Sequence, residues 1–126
     1  MIQNIGLLFL RLFPSLFMII GHGWPKLLNF SAARSTFPDP IGLGSTVSLV
    51  LTIIAEVFCP LLMILGLFSR VAAGITLSTM LVAVFIVHAA DPWQQKELAL
   101  VYGVFYLVIL FTGPGILSID QKKGII

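Results

Sequence analysis

The sequence predicts an all-α integral membrane protein, a bundle of four spanning helices with both termini on one side. Three observations carry that prediction. Of the 126 residues 59% are apolar and only 10% are charged, whereas a soluble domain carries charge on roughly a quarter of its positions. Mean hydropathy is +1.10, more apolar surface than so short a chain can hide from water. Finally, the apolar residues fall into four runs, each near the roughly 20 residues that cross a bilayer at ~1.5 Å per residue.

The first run spans about residues 5–21, with Pro14 in its middle as a kink, because its ring removes the bond to the carbonyl of Leu10. MIQNIG lacks a basic leader and Arg11 interrupts the apolar run, so this segment reads as a retained span and not a signal peptide. The second spans about 45–67, after a loop and start signal in GLGST. Ser69 and Arg70 make a short turn into the third, about 71–90, whose Ala72, Ala73, Gly74 and Ser78 allow close helix approach. Asp91, Pro92 and Trp93 interrupt before the fourth, about 95–112, which ends at Gly113-Pro114-Gly115. A polar tail follows from Ser118. The whole chain reads as one membrane domain, and LLNFSAARSTF in the first loop reads as a short interfacial helix. Trp24 and Trp93 then share one interface. Counting Arg11, Arg70, Lys122 and Lys123 on the termini side against Lys26, Arg34 and Lys96 favours cytoplasmic termini.

A net charge of +2 from scattered basic residues excludes a polynucleotide partner. The single cysteine, Cys59, cannot form an internal disulfide and reads as a buried thiol. The bilayer itself is the first partner, and ionisable groups within it are costly enough to raise a functional hypothesis. Arg11 lies eleven residues before His22, hence about 16 Å from that helix end. Glu56 lies eleven residues after Ser45 on a helix of opposite direction, so an Arg11–Glu56 ion pair is expected. Arg11 and His22 share one helix face. At the loop side, His22, Lys26, His88, Lys96 and Glu97 gather into an acid–base cluster, which marks a candidate site. Tyr102 and Tyr106, one turn apart, either pack or line a ring-shaped ligand. Glu97 also suits a helix N-terminus on dipole grounds alone. Nothing completes a metal or haem site around the two histidines, so neither is expected.

These features together resemble the DoxX family of small four-helix bacterial membrane proteins. The resemblance runs along nearly the whole chain: Arg11, HGWPKL at 22–27, Glu56, LGLFSR at 65–70, His88, Glu97 and GPGILSID at 113–120. It implies a bacterial cytoplasmic membrane location and a redox connection, since family members serve as subunits of quinol oxidases or thiosulfate:quinone oxidoreductases, or as the membrane part of complexes with redox partner proteins. No Cys-x-x-Cys, dinucleotide fingerprint or haem motif is present, so a bound quinone or a partner must supply the cofactor. In the leading reading the bundle binds a quinol or similar lipophilic molecule. His22, Glu97 and His88 then handle protons as catalytic groups, and Arg11, Glu56, Lys26, Tyr102 and Tyr106 shape the cofactor pocket. The main alternative is a non-enzymatic scaffold or chaperone-like subunit. The third is a small proton-coupled transporter, working as a homo-oligomer or by opening its centre.

Overall fold

The computed structural model describes residues 1–125. Six helices follow one another: α1 (Ile2–Leu28), α2 (Phe30–Ala33), α3 (Ser45–Leu65), α4 (Ser69–Val87), α5 (Trp93–Thr112) and α6 (Ile119–Lys123). No strand occurs among the described residues. The helices α1, α3, α4 and α5 are each long and apolar enough to cross a membrane. The bundle therefore has a termini end, with residue 1, the α3–α4 turn and residues 113–125, and a loop end, with residues 29–44 and 88–92.

The span limits differ from expectation most in α1, which continues through His22, Gly23, Trp24 and Pro25 to Leu28. A π turn over Ile19–Gly23, closed by Trp24 N–H to the carbonyl of Ile19, lets it do so. Pro25 follows as one of the first residues of the next α turn, where a missing N–H is tolerated. α4 starts two residues earlier than expected, because Ser69 and Arg70 are helical, and stops at Val87. Gly66 ends α3 in the left-handed conformation, φ 71°, which glycine adopts freely. The short helix expected in the first loop is the single turn α2. Phe30 and Ala33, with Phe37, pack on Leu49, Ile53 and Val57 of α3.

Two more π turns occur, at Ile54–Phe58 in α3 and at Ala83–Val87 in α4. Such turns are rare and frequent at functional sites. The one in α3 shows how sequence accommodates it. Cys59 N–H bonds the carbonyl of Ile54, and Pro60 has no N–H, so the carbonyl of Ala55 has no donor within its helix. The buried Thr76 Oγ of α4 supplies one at 2.8 Å.

Met18, Cys59, Met63, Ala72, Ala73, Met80, Tyr102, Tyr106 and Ile109 form the main core. Small residues let α3, α4 and α5 approach there. A Cβ on Gly23 would collide with the carbonyl of Glu56 and lie 2.6 Å from Val57 Cγ2. The π turns of α1 and α3 are therefore in backbone contact.

The termini end is closed by the chain's own tail. Asp120 accepts from the backbone N–H groups of Phe68 at 2.6 Å and Ser69 at 2.8 Å, capping α4 from 51 residues away. Its own N–H bonds the carbonyl of Gly66. Ile116 N–H bonds the side chain of Asn4 at 3.1 Å, tying the tail to α1 and placing both termini together.

Candidate functional site

The charged residues within the spans do not pair as expected. Arg11 is 2% exposed and donates from Nη1 to the carbonyl of Pro114 at 2.9 Å and from Nη2 to that of Leu117 at 2.8 Å. Glu56 instead meets Lys26, with Nζ to Oε2 at 2.6 Å. The reason is directional. Helical side chains lean toward their own N-terminus, and α1 and α3 run in opposite directions. From similar depths Arg11 reaches to the termini end and Glu56 to the loop end, so the expected Arg11–Glu56 pair is replaced by two separate arrangements. The extension of α1 past His22 supplies the new partner, since Lys26 is one turn further along the same face.

The Lys26–Glu56 pair sits in a half-open cavity of about 480 Å³ at the loop end, within the roughly 300–1,000 Å³ typical of small-molecule sites. α1 contributes Met18, His22 and Lys26 at i, i+4 and i+8, and α3 contributes Ser48, Thr52 and Glu56 at the same spacing. α5 adds Leu98 and Tyr102, and His88 closes α4's end of the cavity. Over it lie Phe37, Pro38, Pro40 and Ile41 from the first loop. Asp39 pins that roof, accepting from Leu43 N–H, Gly44 N–H and Ser48 Oγ, each at 2.9 Å. The N–H of Gly44 is the foremost of the bonds that hold the Asp39 carboxyl below its usual range, with Ser48 and the N–H groups of Leu43 and Gly42 adding to it.

The side chain of Glu56 is almost fully buried, and that of Lys26 is partly reachable from the cavity mouth. The His22 ring stands edge-on to Tyr102, with centroids 5.6 Å apart at 85°. Tyr102 in turn stacks with Tyr106 at 6.4 Å. His88 Nδ1 lies 2.6 Å from Asp91 Oδ2. The cavity thus offers an ammonium, a carboxylate, two imidazoles and a phenol on largely apolar walls. That arrangement suits a molecule with a small polar head and a hydrocarbon body, and its acid and base groups can exchange protons with that head.

Of the residues expected here, His22, Lys26, Glu56, His88 and Tyr102 come together. Four do not reach the cavity. Lys96 turns away from it and donates to the carbonyl of Ala89 at 3.0 Å. Arg11 is at the termini end. Tyr106 is buried in the core one turn beneath Tyr102. Glu97 is exposed on α5, since five residues from Tyr102 place it about 140° around the helix at 100° per residue. Ser48, Thr52, Ser78, Thr79 and Asp39 were not anticipated. The Ser48–Thr52–Glu56 spacing is the signal that could have found two of them, as it puts a polar stripe on one face of an apolar helix. Among the described residues no group of three or more His, Cys, Asp or Glu side chains is assembled.

Comparison with known proteins places this architecture. An uncharacterized protein of Haemophilus influenzae (strain Rd) is 34% identical over 123 residues, an alignment covering 92% of this chain and 89% of the relative. No solved structure matches. The family model described as DoxX matches residues 6–89, a stretch that holds α1, α3 and α4 with Arg11, His22, Lys26, Glu56 and His88, and the chain belongs to the DoxX family.

Proposed function

We propose that this protein binds a quinol or a similar lipophilic molecule in the loop-end cavity and serves as the membrane subunit of a redox complex. The observation that carries the reading is the Lys26–Glu56 pair, a charged couple held at 2.6 Å inside a largely apolar cavity. An ion pair in a membrane span costs several kcal/mol of desolvation per charge, and two apolar residues of similar size would fill the space without that cost.

The residues present fit such a head group. Lys26 Nζ is a donor for a ring oxygen, Glu56 and His22 are acceptors for its proton, and Tyr102 closes one wall. Met18, Leu51, Met80 and Leu98 supply apolar surface. A bound quinol would supply electrons and protons on oxidation, the electrons passing to a partner protein. The chain's own part is to hold the head, exclude water and move the two protons that leave with the two electrons. His22 and Glu56 each receive one at the cavity floor, and His88, held by Asp91 at the mouth, relays them in turn to the loop-end solvent. In this reading the protein sits in a bacterial cytoplasmic membrane with its termini facing the cytoplasm, on the count of basic residues at the two ends.

The test is titration of the purified protein in nanodiscs with a decyl-tailed quinone, followed by tyrosine and tryptophan fluorescence. Saturable quenching that weakens at least tenfold in Glu56→Gln and His22→Ala is expected. Absence of saturation, or affinity unchanged in both variants, overturns the reading and leaves a scaffold whose polar residues only hold the bundle together.

A further inference from the structure

The cavity has a roof but lacks one wall. Near the termini end α3 and α4 are in close contact through the Gly66 turn, Ala72 and the Thr76 bond to Ala55. Beyond Glu56 they diverge, and Ser45–Ile53 makes almost no contact with the end of α4. The cavity-lining residues follow that divergence outward. On α3 they turn from Glu56 through Thr52 and Ser48 to Leu51, and on α4 from Ala83 through Thr79 to Val82 and Ser78. At 100° per residue these arcs sweep from the bundle axis to the outer surface. Leu51 is 46% exposed and Ser78 is exposed. On the opposite flank Leu49, Ile53 and Val57 are buried under the first loop, so that side of α3 is shut.

Four of the lining residues in this cleft carry hydroxyls, yet none has a free proton. Thr52 Oγ donates to the carbonyl of Ser48, Ser78 Oγ to that of Gly74, and Thr79 Oγ to that of Ile75. Ser48 Oγ donates to Asp39. Hydroxyls bonded back to their own helix tolerate hydrocarbon contact. The hydroxyls of the cleft are thus saturated in structure, while the ionisable groups, Lys26, Glu56 and His22, lie at the inner end. Toward the aqueous side, Pro38 and Pro40 flank Asp39 in a roof held by three hydrogen bonds, and proline restricts the backbone of that segment further.

We propose that the cavity is loaded sideways from the bilayer, through the cleft between the loop-end halves of α3 and α4, by a single-chain amphiphile that enters head first and leaves its tail in the cleft. This rests on the cavity being a ligand site, and it narrows the ligand class to molecules dissolved in the membrane. The bound head reaches Lys26 and Glu56, and the tail runs past Thr52, Thr79, Leu51 and Val82 to the lipid.

Photo-crosslinking of the full chain in nanodiscs tests it, with two probes that carry a diazirine midway along the tail, a decyl-tailed quinone and a single-chain phospholipid. Mass-spectrometric mapping is expected to place saturable quinone adducts on peptides covering 48–52 and 78–82. Thr79→Trp, which fills the cleft, is expected to reduce them at least fivefold, with Ser78→Phe as a second filling variant should the first not fold. Quinone adducts confined to 37–41 and 88–92, and insensitive to both variants, overturn lateral loading while leaving the quinol reading in place. Saturable adducts in the cleft from the phospholipid but not the quinone keep the portal and overturn the quinol reading. Saturable labelling by neither probe overturns both.

Discussion

Separating the Lys26–Glu56 pair is the most direct test of what the cavity is built for. At 2.6 Å and an effective dielectric constant of about 20, the gross attraction is about 6 kcal/mol. Desolvation of two charges in a span offsets most of that. The net worth of the pair is therefore small, while the cost of orphaning either partner is large. Glu56, with 7% of its side chain exposed, is the worse orphan; Lys26, at 28%, reaches the cavity mouth. Lys26→Met is then expected to destabilise by about 3 kcal/mol and Glu56→Leu by about 2 kcal/mol. The double variant Lys26→Met/Glu56→Leu, which fills the space with apolar atoms, should lie within about 1 kcal/mol of the parent. Equilibrium unfolding in mixed micelles, read by Trp24 and Trp93 fluorescence, measures all three. A double variant that loses about 5 kcal/mol, the sum of the singles, refutes the reasoning, because independent sites add and coupled ones do not. Quinone titration of the same double variant separates the two functional readings, since a folded bundle that no longer binds is what a ligand site predicts.

Other expectations follow from the same bonds. Thr76→Val removes the one donor that reaches the carbonyl of Ala55 and should cost about 2 kcal/mol, whereas Thr79→Val, which breaks only a bond within its own helix, should cost under about 0.5 kcal/mol; unfolding midpoints distinguish them. Gly23→Ala places a methyl against the carbonyl of Glu56, forcing α1 and α3 apart at a cost of about 2–3 kcal/mol, and should weaken ligand binding with it. Asp120→Ala removes two charge-assisted bonds, with a loss of about 2–3 kcal/mol and faster amide exchange at residues 66–70. Asp39 has a folded-state pKa below its unfolded value, so its hold on the roof is complete above the unfolded value and is lost as pH falls through the folded one. Amide exchange at Leu43 and Gly44 should therefore accelerate in acid, beyond its intrinsic pH dependence, and Asp39→Asn should abolish that extra change.

The spans were legible because runs of about twenty largely apolar residues have few other uses, and His22, Lys26, Glu56, His88 and Tyr102 were legible because polar side chains within four packed spans must meet somewhere. Depth along the membrane carries that inference; angle enters only for Arg11 and His22 on α1, and side-chain direction not at all. Depth alone paired Arg11 with Glu56, although side chains on antiparallel helices lean apart. It also brought Glu97 to the cavity, although Tyr102 faces a different way around the same helix. The continuation of α1 through Pro25 was hidden for another reason. A π turn shifts the hydrogen-bond register ahead of the proline, and it lies where Gly23 meets Glu56 and Val57 of a different helix. Pro60, placed just past the π turn of α3, is the same device, and only the pair seen together makes either readable.

Arg11 comes early in the chain but meets its two acceptors late. Its two acceptors are carbonyls 103 and 106 residues downstream, and the cap on α4 comes from Asp120, also in the tail. While the chain is being inserted, α1 must therefore sit in the bilayer with an uncompensated guanidinium, stretched toward the interface, until α5 has crossed and residues 114–117 arrive to receive it. Any chain that stalls before that point carries within a span an arginine whose two carbonyl acceptors have not yet been made.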